Sequence, residues 1–111
     1  MNKFFIFLIL AIVACSPKVV TFTHSDVKRA SEKFPGSTKQ TLIAGKDIFT
    51  NSCGNCHPYK EPSTKTEAQW KIIVPKMVVA VNKKQNIEVI NSKKEVLLLA
   101  YLVTMSTAPK K

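Results

Sequence analysis

The chain has 111 residues, room for one small domain, and its seventeen Lys and Arg against seven Asp and Glu give a formal net charge of +10. Such a balance favours encounter with acidic partners and carries no information about fold. Nucleic acid would suit the charge, but the N-terminus marks the chain for export, where that partner is not met.

Lys3 precedes an apolar run from Phe4 to Ala14. The run is shorter than the roughly 20 apolar residues that span a bilayer, and a short basic start followed by an apolar core reads as a secretory signal peptide. Ile12-Val13-Ala14-Cys15 resembles a bacterial lipoprotein box, in which cleavage leaves a lipid-modified cysteine at the new N-terminus. Residues 1–14 are then the signal, residues 15–40 a lipid anchor and tether, and residues 41–111 the folded domain. An ordinary cleaved signal or an uncleaved leader are the plainer readings, and each still exports the body. Without residues 1–14, which include Lys3, sixteen basic residues face seven acidic ones, a net charge of +9. So short a chain buries a small fraction of its surface, and a bound cofactor would strengthen its core.

Residues 16–40 are polar and mixed. Ser25 is positioned to cap a short helix, with Asp26 in its first turn, that runs to about Lys33 and stops at Phe34-Pro35-Gly36. From Thr41, Leu42, Ile43, Gly45, Ile48 and Phe49 recur at helical steps. A loop containing Pro58 and Pro62 comes next. A second helical stretch starts at Thr66 and places Trp70, Ile73, Val74 and Met77 on one face; Pro75 should end or kink it near Val74. A polar turn over Asn82 to Asn86 leads to a last helix, capped by Ser92 with Glu95 three residues on, that carries the apolar residues from Val96 to Val103. No segment alternates convincingly as a strand, so the expected fold is all-α.

Two of the three cysteines and one of the two histidines fall within Cys53-Gly-Asn-Cys56-His57. A structural zinc site needs four ligands, usually in two close pairs. Only His24 and the anchor cysteine Cys15 remain to complete one. A dithiol oxidoreductase places its cysteine pair after a strand, whereas this pair comes after a helix. A covalently held haem accounts for every residue of the run. Cysteines three apart lie on one side of a helical turn, where both sulfurs reach the porphyrin vinyl groups as thioethers. His57 then stands beneath the iron.

The sequence here resembles the class I cytochromes c, over about residues 41–105. Gly45, Phe49 and Cys53 reproduce the family's Gly-x3-Phe-x3-Cys arrangement, and Leu98-Leu-Ala-Tyr101-Leu102 is similar to its terminal-helix signature. The Thr23 to Gly36 segment is similar, less specifically, to small monohaem lipoprotein cytochromes. The resemblance implies that the first and last helices of the domain cross with Gly45 at the close approach, and that Phe49 and Tyr101 pack there as structural residues. It implies one haem c on Cys53 and Cys56, with His57 as the proximal iron ligand. Methionine is the usual sixth ligand of such carriers and raises the potential. Met77 lies where the family's ligand loop belongs; Met105 reads as a packing residue, and His24 as a solvated one. Met77 stands in a helical stretch instead of the family's loop, so a core role is the plain alternative. Trp70 packs beside the porphyrin, hydrogen-bonds a propionate, or is plain core. Pro58 and Pro62 are both placed to offer a carbonyl to the other nitrogen of His57.

The expected function is therefore electron carriage, not enzymatic catalysis: a lipid-anchored monohaem cytochrome with His57 and Met77 on the iron, passing single electrons between periplasmic or membrane redox proteins. Its partners are redox proteins with acidic docking surfaces and the membrane that holds the anchor, with no small-molecule substrate. The alternative is a haem-based sensor with an open sixth position, the outcome if Met77 is only core.

Overall fold

Four α-helices and no strand make up the described residues, 22–53 and 61–109, of the computed structural model. The expected all-α architecture is thus observed. The helices are α1 (His24–Lys33), α2 (Lys39–Ile48), α3 (Glu67–Gln85) and α4 (Ser92–Ser106), with a π-helical turn over Phe49–Cys53 and a 3-10 turn over Pro62–Thr64.

Each helix starts at a side chain that accepts a hydrogen bond from one of the unpaired amides of its first turn. Thr23, not Ser25, caps α1: its hydroxyl accepts from the Asp26 amide while the Asp26 carboxylate accepts from the Thr23 amide at 2.9 Å. Thr38 and Thr66 form equivalent reciprocal boxes at α2 and α3. Asn91, not Ser92, caps α4, its side-chain oxygen accepting from the Lys94 amide at 2.9 Å. Phe34 closes α1, and Gly36 makes the turn beyond it at a φ of 86°, a left-handed value that glycine adopts without strain.

Two expectations about the middle of the chain fail. α3 runs through Pro75 without ending near Val74. Pro75 is exposed, so the Lys71 carbonyl that loses its amide partner stands on the solvent side, where water satisfies it. The segment expected as a polar turn from Asn82 is instead the last turn of α3, which ends at Asn86 in the left-handed conformation. Asn82 faces inward and holds the loop after the helix, accepting from the Ile90 amide at 2.9 Å and donating to the Ile90 carbonyl at 3.0 Å.

The core gathers on α4. Leu98, Tyr101, Leu102 and Val103 are buried and pack with Leu42 of α2 and Trp70, Val74, Val78 and Val81 of α3. α1 lies against α4 as well: Ala30 is fully buried, and Phe22 meets Tyr101 edge-on with ring centroids 6.0 Å apart. From Phe22 onward, the segment expected as a tether therefore packs on the domain. Arg29 bonds Asp26 at 2.7 Å and the Thr104 carbonyl at 3.4 Å, placing a cation at the C-terminal end of α4, where the helix dipole favours one.

Candidate haem site

Cys53 ends the π-helical turn that continues α2, and its side chain is buried in the core cluster. An extra residue in one helical turn shifts the register of the residues after it, and such turns frequently occur at functional sites. Cys56 and His57 lie outside the described residues, as does Cys15.

The turn is held from two sides. Phe49, its first residue, packs edge-on against Trp70 at 6.1 Å and tilted against Tyr101 at 6.1 Å, and Tyr101 in turn meets Phe22. A continuous aromatic row thus links α3, the turn, α4 and Phe22, two residues ahead of α1. Below it α2 and α4 approach backbone to backbone. A Cβ built on Gly45 would lie 2.2 Å from the Leu97 carbonyl oxygen and 2.7 Å from the Tyr101 Cβ. Glycine is required here for space.

Trp70 is 2 % exposed, and its indole N–H donates to the Pro62 carbonyl at 2.9 Å. The Lys65 amide donates to the same oxygen at 3.4 Å. The single indole donor is thus satisfied within the protein, which answers to core packing. The hydrogen bond ties the 3-10 turn at Pro62 to α3.

Met77 is half-buried on α3 and packs against the core cluster. With Ile73 it forms a partly open flank of the helix, beside the buried row of Trp70, Val74, Val78 and Val81. Met105 is also half-buried, but it borders a cavity of about 190 Å³ together with Phe22, Tyr101, Lys46 and Pro62. His24 is exposed in the first turn of α1. Sequence reasoning missed Asn82 and Arg29, whose roles depend on distant backbone atoms that no local pattern signals.

Two carboxyls depart from their ordinary range. Burial pushes the Asp26 carboxyl up, but the hydrogen bonds from the Thr23 amide, from Arg29 and from the Thr23 hydroxyl outweigh it and leave the group below its usual value. Hydrogen bonds from Lys33, then Lys71, likewise lower Glu67. Both are structural pairs.

Of the residues that would hold a covalently attached porphyrin, Cys53 and Met77 are described. Cys53 offers a thiol in an apolar, aromatic surrounding, and a half-buried thioether stands on a neighbouring element. No three His, Cys, Asp or Glu side chains come together as a metal site among the described residues. No helix among them is long and apolar enough to cross a membrane. No family model, no curated protein and no solved structure matches the chain.

Proposed function

We propose that the chain is a monohaem c-type cytochrome of the class I kind, a one-electron carrier held at the membrane by a lipid on Cys15. The observation that carries this reading is Cys53-x-x-Cys56-His57 beginning at a buried thiol, at the end of a turn clamped by Gly45, Phe49 and Tyr101. Cys53 and Cys56 would hold haem c by thioether bonds, and His57 and Met77 would ligate its iron. When bound, the haem supplies reversible one-electron exchange, chemistry that no side chain here provides.

What the chain contributes is position and environment. The aromatic row fixes the turn that presents Cys53, so the attachment point does not shift with the charge of the site. The buried apolar residues around it keep water away, which disfavours the more highly charged oxidised form. The Pro62 carbonyl accepts from Trp70 and Lys65; Pro58 and Pro62 both remain candidates to accept from the second nitrogen of His57. Either acceptor would fix the ring and raise its basicity. The excess of lysine steers the carrier toward acidic redox partners, an effect chiefly on association rate.

Extraction with acidified acetone tests the reading. Covalent haem stays with the polypeptide, whereas release of all haem into the solvent would end the cytochrome c proposal. The intact mass of the membrane-bound protein tests the anchor separately, through a diacylated N-terminal Cys15.

A further inference from the structure

α3 is apolar on two opposite sides. The inner side carries the buried Trp70, Val74, Val78 and Val81. The outer side carries Ala68, Ile72, Pro75 and Val79, spaced four, three and four residues apart and therefore aligned in one stripe. All four are exposed; Ile72 and Val79 show 61 % and 66 % of their surface to solvent. Lys71, Lys76 and Lys83 border the stripe. The helix has one acidic residue, Glu67, already engaged by Lys33 and Lys71. At about 100° per residue, Val79 stands roughly opposite Met77 around the helix axis, so the stripe faces away from both the core and the proposed iron ligand.

We propose that this outer face of α3 rests on the anionic lipid surface of the membrane that carries the anchor, Ile72, Pro75 and Val79 entering the headgroup boundary while Lys76 and Lys83 contact lipid phosphates. The inference rests on the reading of Cys15 as the lipidated residue. Phe22, the first described residue and part of the core, lies seven positions after Cys15, a reach of at most about 25 Å. α3 itself is roughly 28 Å long. The domain is thus held within about its own width of the headgroups, and the membrane is the one surface always in range. An apolar stripe bordered by lysines and free of unpaired carboxylates is the pattern that binds such a surface: apolar burial supplies attachment, and the cations select anionic lipid.

The test uses the haem-loaded chain of residues 16–111, the exported protein lacking only the acylated cysteine, mixed with vesicles of phosphatidylcholine with or without phosphatidylglycerol. Co-sedimentation with the anionic vesicles is expected, with little on phosphatidylcholine alone. The double variant Ile72→Glu, Val79→Glu should bind at least roughly tenfold more weakly, with an unchanged circular dichroism spectrum and melting temperature because both side chains are exposed. Equal binding by the double variant, or no binding by the parent chain, would overturn the proposal. So would a lipid-free dimer that the double variant dissociates, which would make a second copy the occupant. Carbodiimide cross-linking of Lys76 or Lys83 to an acidic protein in native membranes would overturn it in favour of a protein partner. An unacylated intact mass would sink the anchor reading and, with it, the proximity argument, whereas the vesicle measurement, which does not use the anchor, tests the α3 face itself.

Discussion

Gly45 sits against the Leu97 carbonyl so closely that one added methyl group would lie 2.2 Å from the oxygen. The obstacle is backbone, which has no rotamer to yield, and the Tyr101 Cβ closes the other side at 2.7 Å. Gly45→Ala must therefore push α2 away from α4 and disturb the Phe49–Tyr101 contact above it. Although alanine is the better helix former by about 1 kcal/mol, a net loss of about 2–3 kcal/mol is expected from overpacking. Denaturant unfolding would measure it. A variant as stable as the parent would show that the two helices tolerate separation.

Trp70→Phe separates packing from a part in tuning the haem. Phenylalanine keeps most of the buried ring but leaves the Pro62 carbonyl without its 2.9 Å donor. The cost of an underpaired buried acceptor is about 1–3 kcal/mol. Stability is expected to fall by that amount while the midpoint potential stays in place. A shifted potential with unchanged stability would instead return the indole to a haem propionate.

Asp26 links the start of α1 to Arg29 and, through it, to the end of α4. Its carboxyl lies below the ordinary 3.8 when folded, so the native state binds the proton less readily than the unfolded chain. The stabilisation is then fully present above the unfolded value and is lost as pH falls through the folded one. Asp26→Asn should cost about 1–2 kcal/mol near neutrality, from the lost charge-assisted bond to Arg29 and the weaker acceptor for the Thr23 amide. The gap between variant and parent should shrink as pH falls below the ordinary 3.8 and through the lowered folded value, where the carboxyl takes up its proton. A gap independent of pH would mean that the carboxylate charge contributes nothing.

The all-α architecture is legible because it is written in local spacing, apolar residues three and four apart, whereas the crowding at Gly45 is legible only through the resemblance to the class I cytochromes c, which implies it. The errors lie where several residues compete for one task. Thr23 and Ser25, and Asn91 and Ser92, are all good caps, and the tertiary position of each helix start selects between them. Pro75 reads as a break in the sequence because its effect depends on which side of the helix it faces. The tether reads too long because Phe22 alone in a polar segment gives no periodic signal; its burial comes from Tyr101, far away in sequence. Of the candidate site, Cys53, Trp70 and Met77 fall within the described residues, while Cys56, His57 and Cys15 remain assignments from the motifs that contain them.

Met77 and Met105 divide the last question, which residue completes the iron site. Both are half-buried and touch the core cluster, so burial does not separate them, but their surroundings do. Met105 borders the cavity between Phe22 and Tyr101, while Met77 stands on the partly open flank of α3, the helix that packs against the turn ending in Cys53. A thioether ligand raises the potential of a histidine-ligated haem. Met77→Ala should therefore lower the midpoint potential, abolish the weak far-red sulfur-to-iron absorption, and let the reduced protein bind carbon monoxide. Met105→Ala should leave all three unchanged and lose about 2–3 kcal/mol of stability, as expected for a truncated, partly buried packing residue. Loss of the far-red band in Met105→Ala with retention in Met77→Ala would reverse the ligand assignment and leave the carrier reading intact. If the unmutated protein lacks the band and takes up carbon monoxide readily, the sixth position is open, and the chain senses a ligand instead of carrying an electron.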